Sequence, residues 1–257
     1  MSASSDSKVA QFNDYWDELR QSSRYHPANR FRYHLIQKLV PLHSQKPERI
    51  MDVGCGDGEL LTTLSNIYPS ASLIGCDVSA NQVAINSQRL PNMAFVHADA
   101  AKPDLKSKVG LSNGSQFDLV TSSEVIEHVV DDQMFLKNIA DVLAPGGVLF
   151  LTTQSGKQYR MDKEVLGHLR HYEKNALCQM SELAGLVVVN AYNCGFPILS
   201  LQKRIVDVFF DSVMRSVGNG NKPGYLARSI MSLMYVGLCF APKISGPQLV
   251  LIARKPR

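Results

Sequence analysis

The chain has 257 residues, 45% of them apolar and 19% charged, which excludes a disordered polymer and leaves room for one substantial α/β domain with an appendage, not two complete domains. Its net charge of +4 is mildly basic and its basic residues are scattered, with Arg24, Arg30 and Arg32 the nearest approach to a cluster, so a concentrated nucleic-acid-binding face is not expected. Five widely spaced cysteines (Cys55, Cys76, Cys178, Cys194 and Cys239) form no CxxC pair, which argues against a disulfide framework or a cysteine-ligated zinc and suits a reducing cytosol.

The opening residues, MSASSDSKVAQ, lack the apolar core of a secretory signal, so a cytoplasmic protein is expected. Residues 12–20, polar with interspersed aromatics, and the more periodic residues 30–39 read as helices ahead of the core. From residue 49 onward, short apolar runs alternate with longer amphipathic stretches, the pattern of β-α units in a parallel sheet. Strands are predicted at 49–53, 72–76, 94–97, 117–121 and 148–153, with helices over 57–68, 80–90 and 131–142. The second of these helices opens on Ser79-Ala-Asn-Gln82, a capping box that satisfies free amides at a helix start. The third ends at Leu143-Ala-Pro-Gly-Gly147, where proline and paired glycines stop the helix and turn the chain into the next strand. A helix over 173–184 closes on Gly185.

Two late runs, 186–192 and 248–253, predict a final antiparallel pair at the sheet edge. The intervening segment is far longer than a hairpin needs and has its own aromatic content (Phe209, Phe210 and Tyr235 among it), which predicts a helical insertion. Its most apolar part, residues 230–241, falls short of the roughly 20 residues a membrane-spanning helix requires. No transmembrane segment is expected, and contact with a membrane would be confined to its surface.

Chemistry concentrates first in Met51-Asp-Val-Gly-Cys-Gly-Asp-Gly-Glu-Leu60. A strand runs into glycines at 54, 56 and 58 and then into a helix, because the backbone must turn tightly and leave no Cβ where a ligand presses against it. The spacing is GxGxG rather than the GxGxxG of dinucleotide sites, and Asp52 precedes it. An anion there repels a diphosphate and attracts an ammonium or sulfonium. Asp77 closes the second strand, where an acidic residue accepts both hydroxyls of an adenosine ribose, and Asp99 follows the third strand within reach of an adenine amino group. The fourth strand ends in Phe117-Asp-Leu-Val-Thr-Ser-Ser-Glu-Val-Ile-Glu-His-Val129.

In these residues the chain resembles the class I methyltransferases that use S-adenosylmethionine (SAM), and among them the branch with EVIEH after strand four, which includes ubiquinone-biosynthesis O-methyltransferases and bacterial small-molecule methyltransferases. The resemblance covers residues 45–155 well, is looser to 192 and fades in the insertion. It implies an α/β fold: a Rossmann-like, seven-stranded, mostly parallel sheet with an antiparallel last strand, N-terminal lid helices and a helical insertion before the last strand. The chain then divides into an N-terminal helical lid (1–44), a SAM-binding core (45–193), an insertion capping the acceptor (194–246) and the last core strand (247–257). By the same resemblance Asp52, Gly54, Cys55, Gly56 and Gly58 cradle the methionine part of SAM. Asp77 and Val78 hold the ribose, Asp99 and Ala100 border the adenine, and Glu124 and Val125 line the inner face. Phe12-Asn-Asp-Tyr-Trp16 is similar to the aromatic lid helix of this family.

Glu124, Glu127 and His128 are spaced to share one side of a helical turn at the mouth of the methyl-transfer pocket, and Gly167-His-Leu-Arg-His-Tyr172 passes over it. In one reading His128, with Glu127 beside it, is the catalytic base that takes the acceptor proton. In a second, Glu124, Glu127, His128, His168 and His171 supply ligands to a divalent metal, as in the similar RNA 3′-terminal 2′-O-methyltransferases; the sequence departs from these in lacking a histidine directly after His128. In a third, these groups only shape the pocket. The expected function is SAM-dependent methyl transfer to an oxygen of a small, partly apolar acceptor by a monomer or homodimer, with a metal-dependent RNA 2′-O-methyltransferase and a non-catalytic SAM-binding protein as alternatives.

Overall fold

The computed structural model describes residues 26–111, 116–217 and 224–257, with the backbone alone at 214–217. The strand β1 (Arg49–Val53) is buried along nearly its whole length, as a central parallel strand covered on both faces must be. It pairs in parallel with β2 (Ser72–Asp77) on one side and β4 (Phe117–Ser123) on the other. Outward from these lie β3 (Ala94–His97) against β2 and β5 (Leu143–Gln154) against β4, both parallel. The last strand, β7 (Gln248–Arg254), slots antiparallel between β5 and β6 (Val187–Cys194), giving a seven-stranded sheet of order β3-β2-β1-β4-β5-β7-β6. The mostly parallel sheet with a reversed last strand is the one the sequence predicts.

Alternate side chains point to opposite faces of a strand, so the sheet has two cores. Met51, Val120 and Leu149 meet Phe135 and Leu136 of α5 (Asp132–Val142) and Leu177 of α6 (Lys174–Leu183) on one face. Ile50, Leu119 and Phe150 meet Leu61 and Leu64 of α2 (Glu59–Ile67) and Phe31, Leu35 and Ile36 of α1 (Pro27–His43) on the other. The helix α3 (Ala80–Arg89) starts where Ser79 Oγ accepts the Gln82 amide at 3.2 Å, as its capping residue predicts. A single turn, α4 (Leu105–Lys108), precedes β4.

One boundary differs from expectation. Leu143–Gly147, read from the sequence as a helix stop and turn, already belongs to β5, where the pairing jumps from Phe117↔Leu143 to Leu119↔Val148. Gly146, at φ +81°, donates its amide to the Lys255 carbonyl (2.9 Å), so the Pro-Gly-Gly segment forms a bulge held by the chain beyond β7. Between β6 and β7 stand three helices, α7 (Ile198–Val208), α8 (Phe210–Val217) and α9 (Tyr225–Phe240). α9 packs back on α1, with the Arg30 guanidinium 4.1 Å from the Tyr235 ring centroid and its Nη1 3.2 Å from Ser232 Oγ. No helix among the described residues is long and apolar enough to cross a membrane.

Candidate active site

The predicted site residues gather beyond the carboxyl ends of β1, β2, β3 and β4, where an open α/β sheet places its ligand. After β1 the chain passes Gly54, Gly56 and Gly58 at φ +69°, +49° and +74°, left-handed conformations that cost an ordinary side chain on the order of 1 kcal/mol or more. A methyl on Gly54 would fall onto Val125 Cγ2, so the glycine turn abuts the segment after β4 with no space between them. α3 clamps the turn from outside: Asn86 Nδ2 donates to the Gly56 carbonyl (2.7 Å), and Gln82 Nε2 to Asn86 Oδ1 (3.1 Å). Cys55 is buried here, its side chain in the core cluster, and burial pushes its thiol far above the usual range.

Asp52, 2% exposed, accepts from Thr121 Oγ1 of the neighbouring strand at 2.7 Å. Burial raises its pKa to about 7, opposed by the Thr121 hydrogen bond and reinforced by the charges of Asp77 and Asp57. A carboxylate in such surroundings gains strongly from an arriving cation. At the end of β2, Asp77 Oδ2 accepts the Gly56 amide and Oδ1 the Ser79 amide, each at 2.9 Å, and burial pushes this carboxyl up as well. Each oxygen retains lone-pair capacity for a hydroxyl. The Val78 carbonyl lies 3.0 Å from His97 Nε2, Asp99 Oδ1 accepts the Ala101 amide (2.9 Å), and the Ala100 carbonyl accepts Asn138 Nδ2 (2.8 Å). Loops on this side are thus fixed by their own hydrogen bonds.

The turn after β4 departs from the helical spacing expected of it. Glu124 sits at φ +60° and only Ile126–His128 forms a short 3-10 turn, so Glu124 departs from the side that Glu127 and His128 share. Gln248 Nε2 donates to Glu124 Oε1 (2.8 Å), Gln154 Nε2 donates to Oε2, and Arg32 Nη1 of α1 stands 3.6 Å from Oε2. Burial alone would raise the Glu124 pKa, but Arg32, Gln248 and Gln154 outweigh it and hold the carboxylate below its usual value. Glu127 is fully buried and accepts from Thr153 Oγ1 (2.8 Å); burial and the nearby Glu124 charge push its carboxyl well above the usual range.

His128 turns instead toward His168, ring centroids 4.7 Å apart and nearly perpendicular. His168 Nδ1 lies 3.1 Å from His171 Nε2, and burial followed by His128 depresses the His168 pKa to about 3, so its ring is neutral near neutrality. Ligand atoms of Glu127, His128 and His168 lie within 4.8 Å of one another. Glu124 and His171 are not in that group; His171 joins His168 and Asp162 in a second.

Several contributors carried no recognisable motif. Asp162, 2% exposed, receives Lys203 Nζ of α7 at 2.8 Å and faces His168 Nδ1 (3.9 Å) and His171 Nε2 (3.7 Å). Gln202 of the same helix lies 3.2 Å from His26 Nε2. The insertion therefore meets the site through polar groups. Of the insertion's apolar residues, Leu199 and Phe210 are buried, but Ile205 and Phe209 are exposed. The register that turns Leu199, Gln202, Lys203 and Val206 inward was available in the 3.6-residue period, since Lys203 and Gln202 are the polar members of that stripe. The aromatic lid segment at 12–16 lies outside the described residues.

The methyltransferase-domain family profile matches residues 24–191, from α1 through most of β6. The chain belongs to that family. Its fold and glycine turn are those of the class I enzymes, whose methyl donor is S-adenosylmethionine. Among relatives, this methyltransferase is 29% identical over 154 residues to a ubiquinone biosynthesis O-methyltransferase of Chelativorans sp. (strain BNC1), covering 54% of this chain and 57% of that protein. It is 27% identical over 221 residues to the Azorhizobium caulinodans protein of the same name, covering 70% and 83%. The match to the Chelativorans protein spans just over half of that relative's length. Among solved structures, N-methyltransferase NodS from Bradyrhizobium japonicum WM9, in complex with S-adenosylhomocysteine, superposes with a TM-score of 0.52 at 15% identity over 90% of this chain and 89% of that one. Haemonchus contortus phosphoethanolamine N-methyltransferase 2, bound to SAM, gives 0.54 at 18% identity over 96% and 60%. These likenesses establish the fold.

Proposed function

We propose that the protein transfers the methyl group of SAM to an oxygen of a small, partly apolar acceptor lying against His128. The observation that carries this reading is the shape and charge of the glycine turn. Gly54, at φ +69° and closed against Val125, turns the chain tightly beside a buried Asp52 that a cationic methionine head group would stabilise. Bound there, SAM supplies an electrophilic methyl on a sulfonium, and the work left to the chain is to position the acceptor in line and remove its proton. Asp77 holds the ribose, Asp99 and Ala100 border the adenine, and the Gln154–Gln248–Arg32 grip keeps Glu124 ionised along the inner wall. His128 takes the acceptor proton. His168 beside it, pushed down to about 3 first by burial and then by His128, carries no charge near neutrality, while burial and the Glu124 charge push the Glu127 carboxyl up. An oxygen acceptor is favoured by the names of the sequence relatives. The units we assign are the lid (1–44), the core (45–193), the acceptor cap (194–246) and the last strand (247–257), the cap reaching the site through Gln202 and Lys203.

A second reading has its own support, since Glu127, His128 and His168 bring donor atoms close enough to share a divalent cation that would acidify an acceptor hydroxyl. One experiment tests both. Transfer of radiolabelled methyl from SAM to a panel of phenolic and catecholic acceptors is followed for the wild type and for His128→Ala, with and without EDTA. Chelator-insensitive transfer lost in the variant supports the base. Activity abolished by EDTA and restored by Mg²⁺, Mn²⁺ or Zn²⁺ makes His128 a ligand, and no transfer to any oxygen acceptor overturns the proposal.

A further inference from the structure

Among the described residues, the outer faces of α7 and α9 are unpartnered. On α7, Leu201, Ile205 and Val208 recur along one side opposite Lys203, and Leu201 and Val208 are 58% and 76% exposed. On α9, Leu226, Ile230 and Leu233 recur at helical spacing away from the Tyr235 side that packs on α1; Leu226 and Leu233 are both 73% exposed. A water-soluble monomer rarely leaves side chains of this size uncovered in regular stripes. Charge says what covers them. Residues 198–243 hold six basic and two acidic residues, while the rest of the chain holds 21 of each sign, so the whole net charge of +4 resides in this insertion. Both acids are engaged by the core: Asp207 accepts the Arg160 amide (3.0 Å), and Asp211 lies 3.6 Å from Arg160 Nη2. Exposed Arg204 on α7 and Lys243 just past α9 add positive charge beside the stripes.

We infer that α7 and α9 dock this protein on an anionic lipid bilayer, lying in the interface with apolar stripes inward and basic residues at the headgroups. Because the opposite side of α7 carries Gln202 and Lys203 into the site, a docked molecule holds its acceptor entrance beside the bilayer, from which a partly apolar acceptor enters without crossing water.

The test is flotation of the full chain with vesicles of phosphatidylcholine alone or with about 30% phosphatidylglycerol. The wild type, Leu201→Ser/Leu233→Ser and Arg204→Glu/Lys243→Glu are compared, each also checked for S-adenosylhomocysteine binding by calorimetry and for mass by light scattering. All four positions are exposed, so the variants are expected to keep their fold and cofactor affinity. The wild type is expected to partition onto anionic vesicles, about tenfold less in either variant or in about 0.5 M salt. Failure to float with anionic vesicles overturns the inference, as does equal partitioning onto zwitterionic ones. A wild-type dimer that the leucine pair dissociates would also overturn it, by assigning the face to a second copy.

Discussion

With the cationic head group placed as proposed, the Asp52 carboxyl is expected to make cofactor binding depend on pH in a way that follows from its surroundings. Its pKa rises from 3.8 to about 7 in the folded chain, first because it is buried and then because Asp77 and Asp57 are near, with Thr121 opposing. A gap of about 3 units means that ionising it in the folded chain costs about 4 kcal/mol more than in the unfolded one. The sign follows: the folded chain holds this proton longer, so the stability it contributes is full below the unfolded value and is lost as pH rises through about 7. A cationic head group beside Asp52 reverses the balance by favouring the carboxylate. Below about pH 7 binding must therefore expel a proton, and affinity for S-adenosylhomocysteine is expected to improve about tenfold between about pH 5.5 and pH 7. Calorimetry in two buffers of different ionisation enthalpy counts that proton directly. Asp52→Asn removes the titration, and its weaker affinity should stay flat across the same window. If wild type and Asp52→Asn share one pH profile, or bind equally well, Asp52 does not meet the cation.

Other consequences are simpler to state. Gly54→Ala meets both a left-handed φ and Val125, whose Cγ1 and Cβ lie 3.1 and 3.3 Å from the new methyl; it should cost about 2–4 kcal/mol in urea unfolding. In a Val125→Ala background the loss should shrink to the backbone part of about 1–2 kcal/mol, and an unchanged loss would mean the two residues do not press together. Asp77→Ala removes a proposed ribose acceptor and should weaken S-adenosylhomocysteine binding by about 1.5–3 kcal/mol; unaltered affinity by calorimetry would refute the placement. His128→Ala should leave that affinity nearly intact and slow turnover roughly 10²–10⁴-fold, whereas a proportionate loss of both would make the residue structural.

How far the sequence could be read depended on whether the signal was local. Strand-helix alternation, the glycine turn and the acids at strand ends are local, because one short segment fixes both the backbone and what it offers to a ligand. Seven strands, the reversed β7 and the position of Asp52, Asp77 and Asp99 were accordingly legible. The grip on Glu124 was not. Arg32 lies in α1, Gln154 ends β5 and Gln248 starts β7, so the contact spans more than 200 residues and exists only because β7 slots beside β5. The early basic cluster containing Arg32 could be seen in the sequence, but its partner could not.

The turn at Glu124 shows a different limit. Spacing of i, i+3 and i+4 aligns side chains only if every intervening residue is helical, and a single residue at φ +60° breaks that phase. Here the break has a chemical consequence. It sends Glu124 toward Arg32, which holds the carboxylate below its usual pKa, and leaves Glu127 against Thr153, where burial and the Glu124 charge push its carboxyl up. Two carboxylates on one helical side would share a charge state or a cation. Separated in this way, the one can serve in the proposed site as a fixed anion while the other, holding its proton more tightly through burial, stays against Thr153. The same left-handed residue therefore turns Glu124 toward Arg32, Gln154 and Gln248, the side on which the proposed site puts SAM, while Glu127 stays against Thr153.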